Sequence, residues 1–469
     1  MSAMTQATEF DNPHTRGIAR FVSALDYRRI PPEVIGRIKL LMLDSLGCAL
    51  YAADRQWSCI LQERLGLLDT TRACTVWGTR LKLSAPHAAL LNGTQIQGFE
   101  LDDVHRRARM HIGASVIPAL FAIAETFPGM NGRDFLVAAV AGYEVGPRVA
   151  MCMGGAHADQ GWHSTATLGV FAAAAAAARA MKLDVDKTVH ALGIAGTQAS
   201  GLLAAQYGAM VKRMHTGRAS QSGLYGALLA DAGFTGIANI FESEYGGFCT
   251  TFSRSTDNFK LDELNAGFGS TWHTMEVALK FYSCVASSHT ALDAIHDMRR
   301  ERPFKAGEIR KIVVHASKVT MEHAGWPYVP QGLTSAQMNL SYCVATFLLE
   351  GDCSVDQFTE DKVADPARMA LAAKVEVQHD PAITEKGPRF RHMTHVEAHF
   401  LDGTVMKRTV EAARGNENAF APDADIVSKF QKLGSHTLPL PQVEQLRDAM
   451  LTLDEISDVA AVVRLLQLH

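Results

Sequence analysis

Within the twelve positions 100–111 stand three carboxylates (Glu100, Asp102, Asp103), three arginines (Arg106, Arg107, Arg109) and two histidines (His105, His111). An apolar run of small residues, 113–124, follows at once. A surface helix alternates charge and apolarity around its circumference. This stretch instead changes from one to the other along its length, as expected where a charged rim meets an apolar wall. Histidines and carboxylates beside low polarity have their proton affinities moved toward working pH, which is the requirement for acid–base catalysis. Arginines nearby suit a substrate carrying carboxylates, because the planar guanidinium matches them with two parallel hydrogen bonds. A solvated charged turn ahead of a core helix is the competing reading of these residues.

Four more clusters carry the same kind of chemistry. In GWHST (161–165), His163 precedes an alanine-rich helix that Ser164 or Thr165 can cap, and the free N–H groups of such a helix start attract anions. In MVKRMHTGRAS (210–220), Lys212, Arg213, His215 and Arg218 lie close together, with Lys212 and His215 on one face if the segment is helical. In LKFYSCVASSHTALDA (279–294), Lys280 adjoins Phe281 and Tyr282, a setting that lowers an ammonium's pKa and equips it as a base; His289 opens a helical pattern. Tyr328 lies in the loop sequence WPY. Each has a plainer alternative: a histidine packed on Trp162, a solvated basic turn, a snorkelling lysine, a core tyrosine.

The elements that must position these groups are mostly helical. Pro31-Pro32 opens a long apolar-periodic segment through Ala52, with proline where a helix accepts it. Helical patterns recur at 84–98, 117–126, 132–153, 164–181, 185–205 and 218–232, dense in alanine and broken at Gly or Asn-Gly. Small residues allow close helix approach, which predicts a compact all-α domain over residues 1–268. Strand signals begin beyond it. The segment 309–316 (IRKIVVHA) alternates and is β-branched, 375–379 is a second short strand, and 395–401 and 404–411 flank the hairpin turn Asp402-Gly403. A helical pattern at 335–349 lies between them, so residues 269–412 read as a smaller α+β domain. The tail, 413–469, returns to helix (424–432, 441–453, 455–468) and completes the first domain.

Bulk properties narrow the function. A chain of 469 residues exceeds one ordinary core, and 47% hydrophobic with 20% charged residues is a globular composition. A net charge of −4 with no basic tail excludes nucleic acid and anionic membrane as main partners. The apolar stretch 169–178 is too short to span a bilayer. The N-terminus shows no basic segment followed by an apolar one, hence no secretory signal. Eight scattered cysteines without C-x-x-C fit a reduced, cytoplasmic protein and offer no zinc or iron–sulfur spacing. No G-x-G-x-x-G, P-loop or G-x-S-x-G is present, and Asp102-Asp103 lacks the further spaced acids of a magnesium site.

Taken in order, the motifs resemble the MmgE/PrpD family. They run through DSLGCAL (44–50), LNGTQIQGFELDDVH (91–105), the segment His111 to Ala119, GYEV (142–145), GWHSTATLGVFAAA (161–174), VKRMHTGRAS (211–220), GFTG (233–236) and the span from Lys280 to His289. The resemblance implies a mainly α fold with an active site between the two domains, a homodimer, and no organic cofactor or metal. It implies a lyase or isomerase that abstracts a proton next to a carboxylate of a small di- or tricarboxylic acid. A 2-methylcitrate dehydratase leads, with an iminodisuccinate-type epimerase, a cis-aconitate-type decarboxylase or a non-catalytic carboxylate-binding protein as alternatives. Position by position, Glu100 stands at a functional aspartate of decarboxylases, and His111 and His163 at the histidines of H-P-G/S and G-F-H-P-T. Lys212 and Lys280 stand at the lysines of V-K-x-x-H and K-x-Y/F-P, and Tyr328 near a functional tyrosine. Lys280 and His111 are the expected proton-transfer pair, His163 an alternative donor, and Glu100 an orienting group. Lys212, Arg213 and His215 are expected to hold substrate carboxylates. Asp103, His289 and Tyr328 complete the binding candidates, and Asp102 and Asp103 are also expected partners of the neighbouring arginines. Gln97, Val104, Ile112 and Ser283 depart from the family's usual histidine, threonine and two prolines.

Overall fold

The computed structural model describes residues 11–468; the first ten residues, part of the stretch read as lacking a secretory signal, lie outside the described residues. The fold is mainly α, with its strands confined to short ladders and one four-stranded sheet. Pro32 starts the helix Pro32–Ala52 as expected. The helix Gly132–Met153 is capped by the Asn131 side chain, which accepts from the Asp134 N–H at 2.9 Å. By length and composition this helix could cross a membrane, but 94% of its most apolar window is buried inside the protein. It is a core helix, packed against the alanine-rich helix Ser164–Ala180.

One helix crossing fixes the geometry of the site. The helices Ala85–Ile96 and Val211–Asp231 meet backbone to backbone through two glycines. A Cβ on Gly217 would fall 1.8 Å from the Leu90 carbonyl oxygen, and one on Gly93 would fall 2.6 Å from the Gly217 Cα. No other residue fits at either place. The crossing sets Lys212 and Arg213, in the first turn of the second helix, beside the segment that follows the first. The basic run 211–218 is therefore helix, not the turn before one, and the helix begins seven residues ahead of the expected 218. In the opposite sense, the expected helix 185–205 stops at Gly196.

In the second half, the sheet has the parallel pair Ile309–Ala316 and Val375–His379, extended antiparallel by Thr394–Phe400 and Val405–Val410 across the predicted Asp402-Gly403 turn. The expected helix 335–349 is two helices, Leu333–Met338 and Leu340–Glu350, because Asn339 leaves the helical region (φ −107°, ψ 121°) and caps the second through the Tyr342 N–H. A two-residue ladder pairs Val104–His105 with Val277–Ala278, bringing the 270s back onto the charged segment. Both pieces are too short for a periodicity signal. The C-terminal helix Asp423–Gly434 packs on Pro32–Ala52. Of the tail expected as helix 455–468, only Ala460–Arg464 is α-helical.

Replacing Gly217 by alanine must push the two backbones apart. The Gly217→Ala variant is expected to lose about 1–3 kcal/mol of stability, read as a lower urea midpoint. An unchanged midpoint would show that the crossing is not the tight contact described.

Candidate active site

Residues from both halves line a cavity of about 430 Å³, within the range of about 300–1,000 Å³ usual for small-molecule sites. The first half contributes Glu100, Val104, His111, His163 and Lys212, and the second Lys280, Val285, His323, Arg391 and His392.

At its wall lies Glu100, 2% exposed, in the left-handed backbone region (φ +55°) that a non-glycine residue adopts only at a cost of roughly 1–2 kcal/mol. Three cations converge on its carboxylate. Lys212 Nζ and Arg213 Nη1 donate to Oε1, and Lys280 Nζ lies 3.3 Å from Oε2 and 3.2 Å from the Glu100 carbonyl oxygen. Burial alone would raise the pKa of this carboxyl, but Lys212, Lys280 and Arg213 together outweigh it and hold it well below the usual carboxylate range. Glu100 is therefore ionised. Burial, with Arg213 and Lys280 close by, moves the Lys212 ammonium below its ordinary value against the opposing pull of Glu100. One negative charge thus holds three positive ones, leaving excess positive charge at the cavity.

The surrounding chain is tied to this centre. Arg213 also donates to Gln337 Oε1 at 2.8 Å, and Gln337 Nε2 donates to the carbonyls of Phe99 and Ser283, both at 3.0 Å. Ser283, standing where the family usually has proline, uses its hydroxyl to donate to the Phe99 carbonyl at 2.6 Å. Lys429, from the C-terminal helix, donates to the carbonyls of Leu101 (2.7 Å) and Lys280 (2.8 Å) and pairs with Asp44 at 2.6 Å. Nothing in the local sequence around Lys429 marks it as part of a site; only the packing of the tail does.

His111 has its Nδ1 2.8 Å from the Asp103 carbonyl oxygen and 3.0 Å from Asp102 Oδ2, which places the proton on Nδ1 and leaves Nε2 without a protein partner among the described residues. Gly113 follows because nothing larger fits: a Cβ there would come within 2.5 Å of Ser45 Oγ and 2.7 Å of the Tyr143 hydroxyl. His163 faces His215 with their Nδ1 atoms 2.9 Å apart, so one of the two donates to the other. Burial first, and then the Lys212 charge, pushes His215 down to about 4 and His163 well below its ordinary value. Both are neutral at pH 7, and the fixed positive charge comes from lysine and arginine.

All five expected catalytic residues, Glu100, His111, His163, Lys212 and Lys280, line the cavity. None of the five expected binding residues does. Arg213 is fully buried and committed to Glu100 and Gln337. His215 stands behind His163, and His289 Nε2 is bound to the Cys284 carbonyl oxygen at 3.2 Å. Tyr328 is half-buried at the edge of the core, packed on Tyr342 with its hydroxyl donating to the Val363 carbonyl at 2.9 Å. Asp103 accepts from the Tyr143 hydroxyl at 2.7 Å and from the Gly113 N–H; burial, then the Asp102 charge, pushes it up to about 7. The neighbouring arginines pair elsewhere than with Asp102 or Asp103: Arg106 with Glu417, Arg107 with Glu276, Arg109 with Asp159. Gln97 is buried outside the cavity lining, whereas Val104 is part of that lining. Sequence reasoning missed Arg391, His392 and His323, which reach the cavity from the second half; the basic stretch 389–392 was the signal for the first two, and nothing local marked His323.

Because the folded pKa of Glu100 lies below its ordinary 4.5, the cluster's stabilisation is fully present above that pH and is lost as pH falls through the depressed value. Glu100→Gln is expected to cost about 3–5 kcal/mol at pH 7, since it strands buried cations. Urea denaturation from pH 3 to 8 should show a steeper acid-induced loss in the wild type than in the variant, which keeps only the share of other paired carboxylates such as Asp69 and Glu276. Parallel pH profiles would contradict this.

Comparison with known proteins agrees across the chain. Residues 16–260 match the MmgE/PrpD N-terminal domain and residues 282–455 the MmgE/PrpD C-terminal domain. The chain is 34% identical to a cis-aconitate decarboxylase-like protein of Aspergillus oryzae, over 96% of this chain and 97% of that protein. It is 34% identical to a cis-aconitate decarboxylase of Aspergillus terreus (96% and 95%) and 26% identical to that of Mus musculus (97% and 93%).

Proposed function

Starting from the fact that this chain belongs to the MmgE/PrpD family, we propose that it decarboxylates an unsaturated tricarboxylic acid of the cis-aconitate kind. The observation that carries this reading is the pair of lysines held by one buried carboxylate at the wall of a cavity that also presents His111. Relatives named for cis-aconitate decarboxylation favour this over the 2-methylcitrate dehydration that the motifs first suggested. Val104, where decarboxylases were expected to carry threonine, leaves a methyl surface in the cavity rather than a hydroxyl.

The chemistry asks three things of a protein. When the carboxyl carbon departs as carbon dioxide, the electron pair of the breaking C–C bond forms a new C=C bond. The former double bond shifts its pair onto its far carbon, which takes up a proton. Negative charge therefore moves toward a carboxylate conjugated with that carbon, and Lys212 and Lys280 are placed to stabilise it without reorganising. The proton comes from His111: protonated at both nitrogens, it keeps Nδ1–H on the Asp103 carbonyl beside the Asp102 carboxylate and donates from Nε2. The departing carboxylate spreads its charge into carbon, a change favoured beside apolar side chains such as Val104, Val285 and Met338. Glu100 touches the lysines and fixes their positions and charge. The neutral His163–His215 pair contributes hydrogen bonds, not charge.

The test is turnover followed by NMR in deuterated water. Cis-aconitate should be consumed with release of carbon dioxide and one deuterium on the carbon that is protonated, while 2-methylcitrate is left unchanged. His111→Asn and Lys280→Met should each lower turnover by roughly a hundredfold or more. Dehydration of 2-methylcitrate without decarboxylation of cis-aconitate would overturn the reading.

A further inference from the structure

The cavity lining carries a second group of cations, not bonded to Glu100, that the chemistry above does not use. Arg106, Arg109 and Arg391 all line it. Arg109 has a carboxylate partner, Asp159, at 3.1 Å. Among the described residues the carboxylate partner of Arg106 is Glu417 at 3.6 Å, beyond a good hydrogen bond. Among the described residues no carboxylate bonds to Arg391: Nη2 donates to the Arg106 carbonyl oxygen and Nε lies 3.2 Å from His392 Nε2. Its Nη1 finds no partner among the described residues. A partly buried guanidinium facing two others is in an unfavourable place. Burial, then the charges of Arg109 and Arg106, pushes Arg391 down to about 9 against the opposing pull of Glu417. The wall carries Asp159 and Glu322 as acids here, but Asp159 is engaged and Glu322 is turned to Lys318 at 3.8 Å.

Arg391 is nevertheless held firmly. It follows the short turn Pro388–Phe390, and its carbonyl oxygen accepts from Ser317 Oγ at 2.5 Å and Thr320 Oγ1 at 2.8 Å. Its backbone thus belongs to the second half, while its side chain reaches the Arg106 backbone in the first. Three arginines meet here with Glu417 and Asp159 as their acids, and a protein that holds a guanidinium with no carboxylate bonded to it at a cavity wall is prepared for an anion to arrive there. The histidines beside it do not compete for that role. Burial leads the lowering of His323 to about 4 and of His392 well below its ordinary value, so both are neutral at pH 7.

We propose that Arg391, supported by Arg106 and Arg109, binds one terminal carboxylate of the substrate and makes the cavity select tricarboxylates over dicarboxylates. The proposal rests on the reading of the cavity as a carboxylic-acid site and adds which end of the acid is read, and by what. Lys212 and Lys280 take the carboxylate next to the reacting carbons, and Arg391 takes one at the far end.

Two unreactive acids separate this from the decarboxylase reading. Propane-1,2,3-tricarboxylate and methylsuccinate differ by one terminal carboxylate, and neither can be turned over by the reaction proposed. In calorimetric titrations the wild type should bind the tricarboxylate tens-fold to about a hundredfold more tightly than methylsuccinate, the size of one charge-assisted contact. Arg391→Gln should remove that preference by weakening only the tricarboxylate, and Arg391→Lys, which keeps the charge without the planar fork, should retain part of it. Melting curves confirm that both variants are folded. No preference in the wild type, or an equal loss for both acids in Arg391→Gln, would overturn the subsite. Failure to decarboxylate cis-aconitate alongside an Arg391-dependent preference would instead sink only the reaction assigned above.

Discussion

The structure depends on one buried carboxylate shared by three cations. Without Glu100, Lys212, Arg213 and Lys280 would bring like charges together in a place that water scarcely reaches, a cost of several kcal/mol per ion. With it, Arg213 becomes the inner brace and the two lysines present their charge to the cavity. Glu100 accepts a left-handed backbone to serve this purpose, and strain of that kind persists only where surrounding contacts over-determine it. Here the carbonyls of Phe99, Glu100 and Leu101 are all taken, by Ser283 and Gln337, by Lys280, and by Lys429.

Those contacts come from places far apart in the chain, which is why the site needs the whole fold. The glycine crossing of Ala85–Ile96 with Val211–Asp231 brings Lys212 and Arg213 to the carboxylate. The ladder of Val104–His105 with Val277–Ala278 delivers Lys280 two residues later. Gln337 couples the second half to the same centre, and Lys429 couples the tail. A fold that spends its polar bonds holding lysines in position is suited to reactions in which charge moves but no group is transferred to the protein.

Much of this was legible from residues alone, and the reason differs by residue. The catalytic candidates stand in dense, locally unusual clusters, so His111, His163, Lys212 and Lys280 could be picked out and all reach the cavity. Long helices such as Gly132–Met153 show in periodicity and caps. What failed was anything decided by direction or distance. Arg213 is the next helix position after Lys212 and so points to a different side, while His215 shares the face of Lys212 yet stands behind His163, which takes the place at the cavity wall. Tyr328 looked available in its loop and is packed on Tyr342 instead. Arg391 and Lys429 lie more than a hundred residues from Lys280 and join the site only through tertiary packing.

The central claim is that Glu100 and the lysines act as a unit. A double-mutant cycle on kcat/KM for cis-aconitate, combining Glu100→Gln with Lys212→Met, measures that directly. If the carboxylate works by holding Lys212, the double variant will be little worse than the poorer single one, with a coupling of about 1–3 kcal/mol. Losses that simply add, to within about 0.5 kcal/mol, would contradict the account and make Glu100 and Lys212 independent parts of the site.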